Sequence, residues 1–230
     1  WWRSSLAVLF LYAYCRFKKI NLEIHSKKDF FTFTLGAIFM AAHWTTYFYA
    51  LKLSNVALGM LSLYTFPVIT ALLEPLFIKT KFNPIHIVLG LVVLLGIYIL
   101  APEFDLESNH VQGIILGVIS AVCYSLRILI LKRHVAYYNG TMLMFYQVLF
   151  ITILLAPLLF FFDTSGIETQ YPYVILLALL TTAIGHTMMV KKLNYFSVST
   201  ASIISSIQPI FGILLAFIFL HEIPTLNTFF

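Results

Sequence analysis

The chain has 230 residues, of which 61% are hydrophobic and only 10% are charged, and its mean hydropathy is +0.95. A water-soluble domain carries about 25% charged residues, so this composition excludes an ordinary soluble protein. The formal net charge of +5 does not indicate a nucleic-acid partner, because the basic residues lie in short connections between apolar segments, where they set membrane topology.

Eight apolar segments are long enough to cross the hydrocarbon core of a bilayer as helices, which takes about 20 residues. They are predicted at residues 4–20, 31–52, 56–78, 85–101, 112–131, 143–162, 172–193 and 199–220. Strands of a membrane barrel would be about ten residues long with alternating polarity, and these runs are longer and uniformly apolar. The sequence therefore predicts an all-α integral membrane protein that lies in the lipid bilayer.

The connections between these segments alternate in charge. Twelve of the fourteen Lys and Arg residues fall on one predicted side: Arg16, Lys18, Lys19, Lys27, Lys28, Lys79, Lys81, Arg127, Lys132, Arg133, Lys191 and Lys192. The intervening connections carry acidic residues and no Lys or Arg, namely Glu103, Asp105, Glu107, Asp163 and Glu168. Since an excess of Lys and Arg marks the cytoplasmic side, we predict a multi-pass protein of the cytoplasmic (inner) membrane.

The second predicted span, 31–52, holds His43, Trp44 and Tyr47 near its centre. Polar side chains at membrane depth are costly unless they are paired or face water, so each is a candidate functional group. His43 either hydrogen-bonds to a neighbouring helix or lines a cavity where it binds substrate or takes up a proton. We predict that Trp44 and Tyr47 line the same substrate-binding site.

The third span, 56–78, places Tyr64, Pro67 and Glu74 on one helical face. We predict that Tyr64 contacts substrate and that Pro67 is a hinge. For Glu74 two roles stay open: it carries the coupling proton, or it forms an interfacial ion pair with the basic residues that follow it.

The fifth span, 112–131, carries Tyr124 and Arg127 on one face with Ser120. Both Tyr124 and Arg127 are predicted to bind substrate. The Arg127 guanidinium either holds a carboxylate or phosphate through two hydrogen bonds or extends to the cytoplasmic interface.

The last two spans add further candidates for the substrate site. His186 lies in the middle of span 172–193, and in the final span Ser205 and Gln208 precede the hinge proline Pro209, which makes a small, polar, kinked centre. A proline there frees backbone carbonyls, which only a protein-lined cavity tolerates inside a membrane.

An offset of 142 residues places Pro67 over Pro209 and aligns residues 51–77 with 193–219 without gaps. This offset spans five predicted helices, an odd number, so the two copies have opposite orientations. Such inverted repeats recur in secondary transporters. The sequence therefore predicts two inverted five-helix halves, 1–108 and 109–230, with eight transmembrane helices present and the first and tenth missing from this chain.

The repeat unit, the proline-bearing helices at 61–73 and 203–215, and the run LHEIPT at 220–225 resemble the EamA-type, ten-helix branch of the drug/metabolite transporter superfamily. The run ALLEPLFIKTKFNP at 71–84 resembles the corresponding junction of the first half. The resemblance implies export of a small metabolite, such as an amino acid or a derivative, by proton- or gradient-coupled alternating access. Glu222 matches an acid that often follows the fourth helix of each half, whereas the first half has Thr80.

These observations predict a secondary active transporter of a small molecule, with protons as a candidate coupling ion, and not an enzyme. One alternative is an intramembrane enzyme that uses His43, Glu74 and His186, but the sequence contains no HExxH, no GxSxG and no paired aspartates. The other is a sensor or assembly subunit without a transport cavity. No cofactor or metal is predicted, because Cys15 and Cys123 have no metal-binding spacing.

Overall fold

The computed structural model of the chain describes residues 1–78, 84–100, 108–161, 164 and 166–220. In these residues all regular structure is helical. The α-helices are α1 (Trp2–Phe17), α2 (Lys27–Leu53), α3 (Val56–Leu63), α4 (Phe66–Phe77), α5 (Ile85–Leu100), α6 (Asn109–Lys132), α7 (Gly140–Leu155), α8 (Ile167–Leu176), α9 (Thr187–Lys192), α10 (Val198–Ser205) and α11 (Gln208–Leu220). A 3₁₀ segment, Ala156–Phe160, follows α7, and a π-helical segment, Leu177–His186, joins α8 to α9. The prediction of an all-α protein is confirmed.

Several features predicted from the sequence lie outside the described residues. They are Lys79, Thr80, Lys81, Glu103, Asp105, Glu107, Asp163 and all but the first residue of the LHEIPT run, including Glu222.

Within the part of the chain that the structure describes, five helical stretches are long and apolar enough to cross a membrane: Val56–Phe77, Asn109–Lys132, Gly140–Phe160, Ile167–Lys192 and Val198–Phe219. The other three predicted segments also fold as helices, α1, α2 and α5. Two of these, α1 and α5, have 16 residues each, fewer than the roughly 20 that span a bilayer without adjustment. The count of eight transmembrane helices stays a prediction.

The chain divides into two compact units. The first unit comprises Trp1–Ala41 and Ile130–Ser197, and the second comprises Ala42–Leu129 and Val198–Phe230. Helices α2 and α6 therefore each contribute residues to both units. In the first unit, α1 packs against α7 and the π-helical segment, and α7 also packs against α9.

Polar contacts tie the start of α2 to the connection between α6 and α7 in the first unit. The Tyr138 hydroxyl donates a hydrogen bond to Oδ2 of Asp29 (2.8 Å) and accepts one from the backbone N–H of His25 (2.9 Å). Nε2 of His134 lies 3.3 Å from the other Asp29 oxygen. The hydrogen bond from Tyr138, followed by one from Ser26, holds the pKa of Asp29 below its ordinary value.

The basic ends of α6 and α9 also make contacts within the first unit. The Lys132 ammonium group, at the end of α6, donates hydrogen bonds to the backbone carbonyls of Leu193 and Phe196, just beyond α9. The ammonium of Lys191, near the end of α9, lies 5.5 Å from the centroid of the Tyr14 ring near the end of α1. Within the first unit, the basic ends of α6 and α9 thus contact the turn after α9 and the end of α1.

Two helices of the second unit are broken at equivalent positions. Helix α3 gives way to α4 between Leu63 and Phe66, and α10 gives way to α11 between Ser205 and Gln208. An offset of 142 residues maps the first residues of α3 and α4 onto those of α10 and α11. Pro67 and Pro209 each occupy the first turn after a break, where the missing N–H of proline is tolerated. Each break lies just before a proline within one apolar helical stretch, Val56–Phe77 or Val198–Phe219, which agrees with the predicted kink. The hinge role of Pro67 and Pro209 stays a prediction.

These broken helices cross each other within the second unit. Helix α4 packs against α10, and α11 packs against α3. The N-terminal half of each broken helix therefore meets the C-terminal half of the other, so the two run antiparallel. At Gly212 of α11, a β-carbon would meet the sulfur of Met60 in α3, so this methionine side chain packs directly over the glycine.

Helix α6 also lies close to the broken helix formed by α3 and α4. A β-carbon added to Gly117 would lie 2.5 Å from Cβ of Ser62 and 3.5 Å from the backbone nitrogen of Leu63. At Gly113 the corresponding atom would lie 3.1 Å from the carbonyl oxygen of Ala50. The two glycines bring α6 near α2 and α3, which positions the buried side chains of α6 described below.

The outer faces of the second unit are apolar. Helix α5 exposes Leu91, Val92, Leu94 and Leu95, and α11 exposes Phe211, Leu214, Leu215 and Phe217. Apolar exposure of this extent is unusual in soluble proteins, and it suits contact with lipid chains.

Candidate functional site

A buried polar pair joins α2 and α6 in the second unit. Nδ1 of His43 lies 2.7 Å from Oγ of Ser120, and the Ser120 hydroxyl donates to the backbone carbonyl of His43 (2.9 Å). A serine hydroxyl has one hydrogen, and here the carbonyl receives it. The imidazole must therefore donate from Nδ1, which in a neutral ring makes Nε2 the nitrogen that bears the lone pair.

Aromatic rings surround this pair. The centroid of the Tyr124 ring lies 4.8 Å from that of His43 and 4.9 Å from that of Phe66, to which it is nearly perpendicular at 83°. Tyr47, one turn beyond His43, stacks at 6.2 Å with an interplanar angle of 13°. Trp44 is also buried, next to His43 in α2. Edge-to-face and stacked contacts of this kind fix ring orientations, so the site has a rigid aromatic wall.

Arg127 lies one turn after Tyr124 in α6 and is fully buried. Its guanidinium carbon is 5.5 Å from the centroid of the Tyr124 ring, and the two side chains are also joined by a hydrogen bond. The Arg127 side chain is enclosed inside the second unit, so the alternative in which it extends to the cytoplasmic interface is wrong. Its role in substrate binding stays a prediction.

Tyr64 and Gln208 lie at the two helix breaks and meet there. The Tyr64 hydroxyl donates a hydrogen bond to Oε1 of Gln208, and its ring lies 5.4 Å from that of Phe66. The Ser205 hydroxyl donates to the carbonyl oxygen of Ala201 one turn earlier (2.9 Å). Tyr64 thus joins the aromatic wall through Phe66, whereas Gln208 is exposed.

His186 lies in the first unit, apart from the other candidates, as the last residue of the π-helical segment Leu177–His186. The sequence gives no warning of this segment, although wide helical turns of this kind are frequent at functional sites. The hydroxyls of Thr181 and Thr182 accept hydrogen bonds from the Arg3 guanidinium, at 3.2 and 2.7 Å.

The Glu74 carboxylate holds the start of α10. It accepts hydrogen bonds from the backbone N–H groups of Val198 (2.9 Å) and Ser199 (3.3 Å) and from the Ser199 hydroxyl. The first N–H groups of a helix have no partner within the helix, so Glu74 caps α10 from a different helix. Three donors suit an ionised carboxylate. The coupling role of Glu74 stays a prediction.

Among the residues that the structure describes, no group of three or more His, Cys, Asp or Glu could hold a metal ion. The hydrogen bond of His43 to a neighbouring helix, one of its two predicted alternatives, is present, but its partner Ser120 was not predicted, since the two residues are 77 positions apart and no local pattern connects them. The only available signal was the shared helical face of Ser120, Tyr124 and Arg127.

Comparison with known families decides what kind of protein carries this site. The model of the EamA-like transporter family matches residues 1–101 and, a second time, residues 111–230. The chain belongs to the EamA-like transporter family. It is therefore a multi-pass membrane protein of the transporter type within the drug/metabolite transporter superfamily, and the resemblance drawn from the sequence is confirmed.

Solved structures support the fold of this family member. A crystal structure named only "Crystal structure of protein" is 17% identical in sequence, with a TM-score of 0.74 over 99% of this chain and 79% of that chain. At this identity the similarity concerns the fold alone. Among curated proteins, none matches the chain.

Proposed function

We propose that this member of the EamA-like family is a secondary active transporter that exports a small metabolite, an amino acid or a related compound, across the cytoplasmic membrane by alternating access. The observation that carries the proposal is the enclosed cluster of His43, Tyr124 and Arg127 in the second unit. Charged and polar groups inside membrane-spanning segments are costly and mark substrate or ion pathways.

The chemistry of the cluster favours a substrate with a carboxylate and an apolar or flat side chain. A guanidinium binds a carboxylate through two parallel hydrogen bonds, and Arg127 is the buried cation of the cluster. The rings of Tyr124 and Phe66 offer faces for an ammonium group or an apolar side chain. Amino acids combine these features, whereas an uncharged nucleoside brings no negative charge to the guanidinium.

The repeat supports a mechanism in which the proposed halves, 1–108 and 109–230, move relative to each other. The family model matches twice, and the equivalent broken helices run antiparallel, as an inverted repeat requires. The breaks before Pro67 and Pro209 are the proposed hinges, because a proline donates no backbone hydrogen bond and helices kink at such positions. Since the cluster is enclosed, substrate enters it only when such a motion opens one side.

The proposed coupling ion is the proton, and Glu74 is the proposed carrier. Protonation converts one carboxylate oxygen from an acceptor into a donor and so weakens the hydrogen bonds that hold Val198 and Ser199 at the start of α10. Proton uptake would thereby loosen one of the two crossing helices. The Glu74 carboxylate would then both cap α10 and carry the coupling proton.

The test is equilibrium binding of radiolabelled amino acids to the purified full-length protein. We expect Arg127→Gln to weaken binding by about 10- to 100-fold, because a hydrogen bond to a charged group contributes about 1.5–3 kcal/mol. Arg16→Gln, which removes an exposed arginine at the end of α1, should change the Kd less than about twofold.

Arg127→Lys keeps the charge and loses the paired geometry, so we expect it to bind with intermediate affinity. It serves as the informative variant if Arg127→Gln does not fold. Binding by folded Arg127→Gln and Arg127→Lys with the affinity of the wild type would contradict the proposed substrate site.

A further inference from the structure

A cavity opens at the basic end of the first unit. Its volume is about 440 Å³. It lies between the end of the α6–α7 connection, the start of α7, and the end of α9 with the turn that follows. Its lining residues are Val135, Tyr138, Asn139, Gly140, Met188, Lys191, Lys192, Asn194 and Tyr195.

The charge of this cavity is positive. Lys191 and Lys192 are its charged lining residues, and no Asp or Glu is among the described residues that line it. The Lys192 ammonium lies 5.7 Å from the centroid of Tyr195, which also lines the cavity, and the Lys191 ammonium lies 5.5 Å from the centroid of Tyr14.

The backbone at the cavity adds to this potential and fixes the position of one lysine. Helix α7 begins at Gly140, and its positive end therefore lies at the cavity wall. A β-carbon on Gly140 would lie 3.0 Å from both Cα and the backbone nitrogen of Lys191, so glycine permits the direct approach of α7 to α9. The side chain of Asn139 accepts a hydrogen bond from the N–H of Thr141 (2.9 Å) and caps the helix.

We propose that this cavity binds a phosphate-bearing anion, either the headgroup of an anionic phospholipid or a soluble phosphate ester. Two lysines, two asparagines and two tyrosines line one opening, and basic pockets at the cytoplasmic ends of membrane helices suit lipid phosphates. Tyr138 contributes its ring, since its hydroxyl hydrogen is given to Asp29. The site does not depend on the proposed substrate or on transport.

The test measures Kd for the full-length protein in detergent with three probes. They are dihexanoyl phosphatidylglycerol, zwitterionic dihexanoyl phosphatidylcholine and glycerol phosphate. We expect the anionic lipid to bind more tightly than the zwitterionic one. The double variant Lys191→Gln with Lys192→Gln should weaken binding of the anionic lipid about 25-fold, about fivefold for each lysine. Higher salt should weaken wild-type binding, because part of the cavity is open to solvent.

The matched control is Lys27→Gln with Lys28→Gln, which removes two exposed lysines from the start of α2 and should change the Kd less than about twofold. Lys191→Arg with Lys192→Arg keeps both charges and should retain binding, which separates loss of the site from loss of folding. Equal binding of glycerol phosphate and the anionic lipid would assign the site to a soluble phosphate ester. Unchanged binding in the folded Gln variant, or equal binding of both lipids, would overturn the proposal.

Discussion

Replacing Glu74 by Gln tests the role of the buried carboxylate with a single atom change. The carboxylate accepts three hydrogen bonds, from the N–H groups of Val198 and Ser199 and from the Ser199 hydroxyl. A glutamine at this position has one acceptor oxygen, so at least one buried N–H of α10 loses its partner. An unsatisfied buried donor costs about 1–3 kcal/mol, and we expect the free energy of unfolding to fall by about that amount.

The assay is reversible unfolding of the purified protein by SDS titration. Ser199→Ala removes only the hydroxyl donor and should cost about 1 kcal/mol. The double variant should cost less than the sum of the two single ones, because both changes act on one contact. Glu168→Gln, at an exposed position in α8, should stay within about 0.5 kcal/mol of the wild type. If Glu74→Gln is as stable as Glu168→Gln, the capping argument is refuted.

Two further predictions concern packing and pH. Gly117→Ala should lower the free energy of unfolding by about 1–3 kcal/mol, because its β-carbon would lie 2.5 Å from Cβ of Ser62. The control Gly166→Ala, where no atom lies within 4 Å, should be nearly neutral. Equal unfolding curves for the two variants would show that α6 is not tightly packed at Gly117. Tyr138→Phe removes the hydrogen bond that lowers the pKa of Asp29, so it should destabilise the protein at neutral pH. A lowered pKa stabilises the fold above the ordinary value of 3.8 and loses that effect as pH falls through the folded value. The difference in melting temperature between wild type and Tyr138→Phe should therefore shrink between about pH 5 and pH 3, and a constant difference would contradict this assignment.

Much of the fold was predictable because apolar length and charge pattern act locally along the chain. The segments 112–131 and 143–162 were placed correctly since a membrane span needs an uninterrupted apolar run, and α6 and α7 follow them closely. Hinges at Pro67 and Pro209 were predicted, but the residues at which the regular helix is interrupted, just before each proline, were not. A proline fits either a kink or the first turn of a new helix, and only packing against the crossing helix distinguishes the two.

The sequence identified most residues of the candidate site but did not predict which of them contact each other. His43, Tyr124 and Arg127 were recognised because polar groups are rare in apolar spans. Their contacts, such as that of His43 with Ser120, join distant parts of the chain, and local periodicity carries no information about them. Arg127 was counted among the connection residues because it precedes Lys132 and Arg133, yet the helix continues to Lys132 and buries it.

The most direct test of the proposed function is transport by the full-length protein in inverted membrane vesicles with an imposed proton gradient. We would compare the wild type, Arg127→Gln, Glu74→Gln and the control Arg16→Gln with a panel of radiolabelled amino acids. We predict that the wild type and Arg16→Gln accumulate amino acids when the proton gradient is present. Arg127→Gln should not accumulate them, and accumulation by Glu74→Gln should not depend on the gradient. Accumulation that is equal in all four proteins, or absent from a folded wild type for every amino acid tested, would contradict this prediction.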